Sequence, residues 1–229
     1  MENGLGEILL IDKPAGISSF GVVAKVRYAL SQKAGHKVKV GHTGTLDPFA
    51  TGLLILLTGK ATKRSNEFLK KDKTYEATIC LGKVSSTGDP EGEITPYDQL
   101  EDTMFMSIPS REEVEAAVER FIGLIYQKVP QYSAVKIDGE RAYKLAREGK
   151  EFETPTRQVN IYDIEILDYT WPELKIRCHV SSGTYIRTLG EDIGEKLGVG
   201  GYLTELRRIK IDKYSVEDAM QLEDFSIDN

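Results

Sequence analysis

The aspartate at the centre of Gly41-His-Thr-Gly-Thr-Leu-Asp-Pro-Phe-Ala-Thr-Gly-Leu-Leu54 is the residue of this sequence best placed to do chemistry. Asp47 precedes Pro48, whose ring disfavours a helical backbone at the residue before it, so the segment is expected to be extended there. Its three glycines permit unusual backbone angles or the close approach of a ligand. A carboxylate in such a segment can act as a general base or as a nucleophile. The same residues also fit a turn in which Asp47 bonds its own backbone, so spacing alone leaves both interpretations open.

Four segments around this aspartate have the apolar patterns that are typical of strands. They are residues 7–12, 74–81, 159–169 and 174–180. The predicted strands alternate with helices in no regular βαβ rhythm. The pattern therefore predicts an α+β fold with a largely antiparallel sheet.

Three further segments carry apolar residues at helical spacing, each with a start or stop signal. Ser18 or Ser19 can cap the first, Ser110 and Glu113 form a capping box before the second, and Gly198 ends the third. The apolar stripes are Val22, Val23, Val26 and Leu30 in the first helix, Val114, Ala117, Val118 and Phe121 in the second, and Ile186, Leu189, Ile193 and Leu197 in the third.

Charge is distributed unevenly along the chain. The net charge of −6 and the pI of about 5.3 argue, taken over the whole chain, against a nucleic-acid partner. Residues 1–88, however, hold 13 Lys/Arg and 7 Asp/Glu, and residues 58–73 form the densest basic patch. Acidic residues are concentrated in 89–119 and at the C-terminus. A positive face with an acidic back can still bind a phosphate backbone, although a merely solvated charged surface has the same composition.

Several functional classes are disfavoured by composition. Cys80 and Cys178 match no metal-ligand spacing and are expected to be reduced. The N-terminus lacks the basic and apolar regions of a signal peptide, and the apolar run Leu53–Leu57 is far too short to span a membrane. We therefore expect a cytoplasmic protein with no metal, no cofactor and no membrane partner.

Six segments, in the family's order, resemble motifs of the TruB family of pseudouridine synthases. The segment around Asp47 is similar to the family's catalytic motif, and residues 12–19, Asp-Lys-Pro-Ala-Gly-Ile-Ser-Ser, are similar to its opening motif. The other matches are Lys73-Thr-Tyr75, residues 127–147 with Gln-Lys-Val-Pro-Gln-Tyr-Ser-Ala-Val-Lys at their start, and the late motifs Ser182–Leu189 and Leu206–Arg208. Together they cover the chain from residue 7 to about 214.

The resemblance implies a fold, a reaction and a substrate. The fold is the pseudouridine synthase fold, a central, mostly antiparallel mixed sheet with flanking helices and an RNA-binding cleft. The reaction converts uridine 55 in the T-loop of tRNA to pseudouridine. The family match further implies a monomer that acts on the tRNA T-arm without a guide RNA or an obligate protein partner.

The same resemblance assigns roles to five residues. Asp47 would attack C1′ of the nucleotide or remove the C2′ proton, and both roles require an ionised carboxylate. Arg187 would keep Asp47 ionised and oriented, although a surface position on the third helix is the alternative. Tyr75 would stack on the uracil, and Tyr185 would line the pocket beside it or lie in the core. His42 would fill the space that the flipped uridine leaves in the RNA stack.

RNA contacts outside the reaction centre follow from the same motifs. Leu206 belongs to a late motif and is expected beside the substrate. Basic side chains in or near the motifs are candidate phosphate contacts, although an ordinary surface lysine is simply solvated. These candidates are Lys13, Lys60, Lys63, Arg64, Lys136, Arg141 and Arg147.

The motifs also suggest boundaries. Residues 1–214 are expected to form the catalytic domain, within which 127–155 is an RNA-clasping insertion rich in Gly, Pro and Tyr. Bacterial relatives usually carry a small RNA-binding domain of the PUA type after the catalytic core. The remaining residues 215–229 are too few and too acidic for that domain, whether the short chain is natural or truncated. We expect a short acidic tail whose removal leaves RNA affinity equal or slightly improved, provided that the rest folds.

Three other functions compete with this interpretation. A guide-RNA-dependent pseudouridine synthase would come from the related archaeal and eukaryotic branch, whose chains are longer. A non-catalytic tRNA-folding chaperone would not need Asp47, Tyr75 and Arg187, which are all present. A nucleoside hydrolase would need an activated water and usually a metal or acid cluster, for which the sequence has no pattern.

Overall fold

A computed structural model describes residues 6–97 and 107–225 and contains two compact units. The strands are β1 (Ile8–Lys13), β2 (Val40–His42), β3 (Thr51–Thr58), β4 (Lys73–Leu81), β5 (Lys83–Ser85), β6 (Ile94–Pro96), β7 (Gly123–Lys128), β8 (Lys136–Ile137), β9 (Glu140–Arg141), β10 (Thr156–Thr170), β11 (Glu173–Val180), β12 (Gly201–Ile211), β13 (Tyr214–Ser215) and β14 (Met220–Gln221). The helices are α1 (Ser19–Ala34), α2 (Ser65–Leu69), α3 (Arg111–Glu119), α4 (Ala142–Arg147) and α5 (Ile186–Lys196).

The division between the units falls inside two strands. Unit 1 takes in the chain up to Glu76 and from Leu206 onward, and unit 2 takes in Ala77–Glu205. The first boundary lies within β4 and the second within β12. The sequence shows no linker because the chain passes between the units along strands instead of loops.

Unit 1 is built on a mixed sheet in which β3 is the central strand. β1 lies antiparallel to β3, with Leu10 opposite Ile55, and β12 lies parallel to it, with Arg208 opposite Gly52. β2 adds an antiparallel partner, and β14 runs parallel to β1. The mixed sheet with flanking helices confirms the predicted α+β class.

The apolar run Leu53–Leu57 reflects burial on both faces of β3. Leu54 and Leu56 pack with Val22, Val23 and Val26 of α1. Leu53, Ile55 and Leu57 face the other way, into a cluster that comprises Ala61, Phe68 and Ile211. Because side chains alternate along a strand, only a strand covered on both sides needs an unbroken apolar sequence.

The predicted start of α1 is confirmed. Ser18 is the N-cap, and its hydroxyl accepts a hydrogen bond from the amide of Gly21 at 3.0 Å. Gly35 ends the helix in the left-handed conformation, with φ of 71°. These caps place the first turn of α1, and with it Ser19, at a fixed position in the unit.

The C-terminal segment is acidic, as the sequence shows, but it is part of the fold of unit 1. β13 pairs with β12, and β14 pairs with β1. A short 3₁₀ helix, Leu222–Phe225, follows. Leu222 and Phe225 are 3% and 9% exposed and pack in the same cluster as α1. Residues 215–225 therefore differ from the expected tail, while Asp228 lies outside the described residues.

Unit 2 is arranged around the long strand β10. It lies antiparallel to both β11 and β7. The predicted capping box of α3 is present, since Ser110 accepts from the amide of Glu113, whose carboxylate accepts from the amide of Ser110. The apolar stripe of α5 is likewise confirmed, with Ile186, Leu189 and Ile193 buried.

The expected insertion forms little regular structure. After β7 it contains only the two-residue strands β8 and β9 and the six-residue helix α4. Asp138 and Gly139 connect β8 to β9, both with positive φ. No helix of the described chain is long and apolar enough to cross a membrane.

Candidate active site and RNA-binding surface

Asp47 lies in the loop between β2 and β3 of unit 1. The loop begins at Thr43, whose amide and hydroxyl both donate to the carbonyl of Ile55. Leu46 is held by the Ser19 side chain, which accepts from its amide at 2.7 Å and donates to its carbonyl at 2.8 Å. Thr43, Leu46 and Ala50 are buried, and Asp47 is partly exposed. The segment thus presents one carboxylate on a loop whose neighbouring residues are fastened to the sheet and to α1.

Lys13 lies beneath this loop and not on the surface. Its side chain is fully buried, and its ammonium donates to the carbonyls of Pro14, Ile17 and Pro48 at 2.8, 2.7 and 3.1 Å. The structure contradicts the predicted phosphate contact of Lys13, because an RNA phosphate cannot reach an ammonium with no exposed surface. Lys13 instead fixes the backbone of the residue that follows Asp47.

Arg208 is a buried cation that the sequence did not mark as functional. It is 1% exposed, and its guanidinium donates to the carbonyls of Leu53, Thr45 and Gly44 at 2.8, 3.4 and 3.2 Å. The only available signal was its place in the Leu-Arg-Arg motif, where Arg207 has the same residue type but pairs with Asp12 instead. A sequence cannot distinguish two neighbouring arginines that point to opposite faces of one strand.

His42 occupies the last position of β2, opposite Leu56. Its Nδ1 is buried and has no hydrogen-bond partner among the described residues. Burial, followed by the positive charge of Arg208, lowers the pKa of His42 below its ordinary value. The imidazole is therefore neutral near pH 7, a state that suits stacking against bases better than contact with phosphate.

Tyr75 lies on β4 and is 7% exposed. That burial fits both a core aromatic residue and the wall of a substrate site. Two residues earlier, the Lys73 ammonium donates to the carbonyls of Leu69 and Lys71. Burial, and then the nearby charge of Arg208, lowers the pKa of Lys73 to about 8.

Arg187 lies at the start of α5 in unit 2 and is 4% exposed, so it is not a surface helix residue. Its guanidinium forms an ion pair with Asp89 at 3.2 Å. It also donates to the carbonyls of Thr87 and Tyr132 at 2.9 and 2.8 Å. A guanidinium with several fixed acceptors is held in one orientation, which a charge that acts on a reacting group requires.

Asp89 is a further residue that the sequence analysis missed. It is 3% exposed, and its Oδ1 accepts from the hydroxyl of Thr87 at 2.6 Å and from the amide of Glu91 at 3.0 Å. The Gly-Asp-Pro sequence indicates a turn, but a turn aspartate is normally exposed. Only the fold shows that this one is buried against an arginine.

Glu191, one turn after Arg187 on α5, has an unusual titration. Its carboxylate lies against Gly88, where an added Cβ would come within 2.8 Å of it. Burial raises the pKa of Glu191 to about 7, and the charge of Arg187 opposes that rise. Near neutral pH this side chain is therefore partly protonated.

Tyr185 precedes α5 and is held through its backbone. The side-chain amide of Gln127 donates to its carbonyl at 3.2 Å and accepts from its amide at 3.0 Å. Gln127 is itself buried, while the Tyr185 ring is half-buried. This geometry fits both the pocket and the core interpretation of Tyr185.

The basic residues of the insertion are exposed in unit 2. Lys136 and Arg141 lie opposite each other on β8 and β9, and Arg141 donates to the carbonyl of Ala134. The Arg147 guanidinium lies 5.8 Å from the centroid of the Tyr143 ring. Exposed cations beside an exposed tyrosine fit contact with phosphate and base.

A second basic surface lies in unit 1. Lys60, Lys63 and Arg64 are exposed on the 3₁₀ helix Gly59–Arg64, where Arg64 also pairs with Glu67 at 2.8 Å. The amide of Gly59 donates to the carbonyl of Lys39 at 2.8 Å, which brings the exposed Lys39 to the same region. Leu206, by contrast, is 7% exposed on β12.

Two family models together match most of the chain. The N-terminal domain of the TruB family pseudouridylate synthases matches residues 29–186. The C-terminal domain of tRNA pseudouridylate synthase B matches residues 187–227, which include the C-terminal segment that packs in unit 1.

Curated relatives match over nearly the whole length of the chain. The tRNA pseudouridine synthase B of Phocaeicola vulgatus is 47% identical over 221 residues, which are 96% of this chain and 92% of the relative. The same enzyme of Bacteroides thetaiotaomicron is 46% identical over 96% of this chain and 91% of the relative. That of Aquifex aeolicus is 43% identical over 95% of this chain and 72% of the relative.

Solved structures agree with the predicted fold. A Cbf5 chain from a Cbf5-Nop10-Gar1 complex superposes with a TM-score of 0.70 at 28% identity, covering 96% of this chain and 53% of that one. A chain of an H/ACA RNP bound to a substrate RNA that contains 2′-deoxyuridine gives 0.68 at 26% identity. This chain spans about half the length of each. With identities of 43–47% to these curated relatives and family models that match residues of both units, the chain belongs to the TruB family of pseudouridylate synthases.

Proposed function

We propose that this protein isomerises uridine 55 in the T-loop of tRNA to pseudouridine and that it acts alone, in the cytoplasm. The observation that carries the proposal is that Asp47, in a chain of this family, lies on a loop whose backbone is hydrogen-bonded to the sheet and to α1. The name shared by the 41–47% identical relatives, tRNA pseudouridine synthase B, supports the choice of substrate.

The reaction exchanges one glycosidic bond for another within a single nucleotide. The N1–C1′ bond breaks and its electron pair stays on the uracil, which rotates before C5 bonds to C1′. The proton on C5 leaves to a base, and N1 gains a proton. No water is consumed and no electron is gained or lost overall, so an ionised carboxylate beside the sugar is the central requirement.

Asp47 supplies that carboxylate in one of two ways. It can attack C1′ as the uracil leaves and be released again when C5 bonds to C1′. Alternatively, it can remove the C2′ proton, which is later returned. Arg187, oriented by Asp89 and two carbonyls, is proposed as the positively charged residue of the reaction.

Three aromatic side chains serve the flipped base. Tyr75 stacks on the uracil and helps to place or remove the C5 proton, and Tyr185 lines the site. The neutral imidazole of His42 occupies the gap in the RNA stack. Extrusion of a base costs a few kcal/mol, and a side chain that fills the gap offsets part of that cost.

RNA affinity comes from two exposed basic regions. In unit 1 the lysines on and near the 3₁₀ helix, Lys60 and Lys63 with Lys39, contact phosphates. In unit 2 the insertion contributes Lys136, Arg141 and Arg147. Leu206 contributes apolar contact near the substrate. Each phosphate contact releases counterions and makes binding depend on salt.

The solved structures of similar fold come from assemblies with Nop10, Gar1 or a substrate RNA. Those chains are 26–28% identical to this one, whereas the 41–47% identical relatives are all called tRNA pseudouridine synthase B. The higher identity supports action without a guide RNA or an assembly partner.

The test is incubation of the purified protein, without other proteins or RNA, with an unmodified tRNA transcript, followed by mapping of pseudouridine at each position. We expect modification at position 55 alone, and also in an isolated T-arm hairpin. Modification in another loop would overturn the substrate. Improved tRNA folding without any pseudouridine would identify a chaperone, and activity only after a guide RNA is added would refute standalone action.

A further inference from the structure

The loop that carries Asp47 has an unbroken run of hydrogen-bonded backbone carbonyls on both sides of that residue. Each of the five consecutive carbonyl groups from Gly44 to Pro48 accepts a hydrogen bond. The donors, in order along the loop, are Arg208 for Gly44 and Thr45, Ser19 for Leu46, Ala50 for Asp47, and Lys13 and Gly16 for Pro48. A loop without regular structure normally leaves several carbonyls to water, so this pattern fixes the path of the backbone.

Arg208 contributes more of these bonds than any other side chain. It fastens Gly44 and Thr45, two of the residues that lie between His42 and Asp47. Its Nε donates at the same time to Leu53 on β3 at 2.8 Å, so one planar group ties the loop to the sheet. Three acceptors at fixed angles suit the fork of a guanidinium, and an ammonium cannot reproduce that geometry.

The backbone around Arg208 is built for this close approach. Arg208 lies opposite Gly52 in the parallel pair of β12 and β3. Gly52 has φ of +99°, and a Cβ there would collide with the backbone of Arg208. The absence of a side chain at Gly52 lets β12 approach closely enough for the guanidinium to pass under the loop.

We propose that Arg208 is a positioning residue for Asp47: its buried guanidinium holds the Gly44 and Thr45 carbonyls against β3 and so sets where the carboxylate stands. The inference rests on the proposed function, in which Asp47 must meet one sugar carbon of the bound uridine. Arg208 does not touch the substrate in this account. Displacement of a reacting group by about 1 Å can reduce a rate on the order of 100-fold, so a brace remote from the chemistry can control it.

Arg208→Lys keeps the positive charge and removes the fork. The single-turnover rate constant at saturating tRNA should fall on the order of 10- to 100-fold. The dissociation constant for tRNA should change much less, because the basic surfaces are untouched. The rate is measured well below the unfolding temperature of the variant, so that unfolding does not lower the measured rate.

Arg207→Lys is the matched control. Arg207 is the preceding residue on β12, exposes 38% of its side chain and pairs with Asp12 at 2.7 Å. Since a partly exposed ion pair contributes little and a lysine ammonium can still pair with Asp12, the rate of this variant should stay within about two-fold of the wild-type rate. An equal loss in both variants would reduce Arg208 to a general stabiliser of β12 and overturn the proposal.

Two readouts are independent of catalysis. Hydrogen exchange in a peptide that spans residues 43–50 should be faster in Arg208→Lys than in the wild type and in Arg207→Lys, because the loop opens more often. Arg208→Met should also raise the pKa of His42 in a proton NMR titration, since the Arg208 charge helps to lower it, whereas Arg208→Lys should not. An unchanged rate of hydrogen exchange in Arg208→Lys would contradict the proposal that Arg208 holds the loop.

The experiments distinguish an incorrect role for Arg208 from an incorrect proposed function. A wild-type protein that makes no pseudouridine in tRNA would overturn the function, and hydrogen exchange would then decide whether Arg208 holds the loop. With an active wild type, an Arg208→Lys rate within about two-fold of normal would show that charge alone is needed. That result would overturn the proposal.

Discussion

At the scale of single residues, buried cations are the distinctive feature of unit 1. Lys13 and Arg208 are among its largest fully buried side chains, and both donate to backbone carbonyls on either side of Asp47. A charge is costly to bury unless it is hydrogen-bonded, and each of these has three carbonyl acceptors. The sequence could not reveal the burial of these two side chains. Whether a lysine or arginine is buried depends on carbonyl groups that are distant in the sequence and that surround it only in the folded protein.

The contrast between Lys13 and Lys63 gives a testable pair. Lys13→Met leaves the carbonyls of Pro14, Ile17 and Pro48 without their ammonium donor, and a buried acceptor left unsatisfied costs about 1–3 kcal/mol. We expect a clear fall in the free energy of unfolding, measured by urea denaturation. Lys63→Met should leave unfolding unchanged, weaken tRNA binding, and reduce the slope of log Kd against log salt by about one unit. A reversed result would restore Lys13 to the RNA surface.

At the scale of elements, sequence patterns predicted the helices and strands that are determined by interactions between residues close in the sequence. The caps and stripes of α1, α3 and α5 and the alternation of β4 are set within a few residues, and the structure has them where the sequence placed them. β12 and β14 were not predicted. Their pairing with β3 and β1 joins opposite ends of the chain, and no short segment encodes such a partner.

The proposed functional residues divide in the same way. Asp47, Tyr75, His42 and Arg187 were predicted from motifs. Asp89 and Arg208 were not, because their importance lies in burial against residues far away in the sequence.

Helix α5 offers a prediction about pH. Because burial raises the folded-state pKa of Glu191 to about 7 from an ordinary value of 4.5, the folded protein binds this proton more tightly than the unfolded chain. The contribution of this bound proton to the free energy of unfolding is complete below about pH 4.5 and is lost as the pH rises through 7. Glu191→Gln, which is uncharged throughout, should therefore raise Tm relative to wild type at pH 8, with a difference that shrinks towards pH 5.

The exposed Glu119 on α3 supplies the control. Glu119→Gln should shift Tm equally at both pH values. Since Arg187, Asp192 and Asp89 also act on Glu191, the experiment compares the variant with wild type at each pH instead of following one profile. A Glu191→Gln effect that does not vary with pH would show that the carboxyl is not buried as the fold has it.

At the scale of the whole molecule, the acidic C-terminal segment completes the core of unit 1. It contributes a strand beside β1 and two apolar side chains packed against α1. Its acidic residues Glu217, Asp218, Glu223 and Asp224 lie among these anchors. The composition predicted repulsion from RNA, but the spacing of Leu222 and Phe225 determines what the segment does in the fold.

Removal of this segment is therefore expected to destabilise the protein. Leu222→Ala and Phe225→Ala should each lower the free energy of unfolding by about 2–5 kcal/mol, as for other large-to-small changes in a core. A stop after Tyr214 should cost more than either. Glu223→Gln, on an exposed neighbour, should have almost no effect in the same urea titration. A truncated protein as stable as the full chain would show that the segment does not pack in solution.

The most direct test of the account is the rate at which Asp47→Asn forms pseudouridine at position 55 of a tRNA transcript. The substitution keeps the shape of the side chain and removes its charge, so neither attack on C1′ nor removal of the C2′ proton remains possible. We predict that the single-turnover rate falls by at least about 10²–10⁴-fold while tRNA affinity and Tm stay close to wild type. A variant that binds normally and still modifies position 55 at a near-normal rate would contradict the assignment of Asp47 as the catalytic residue.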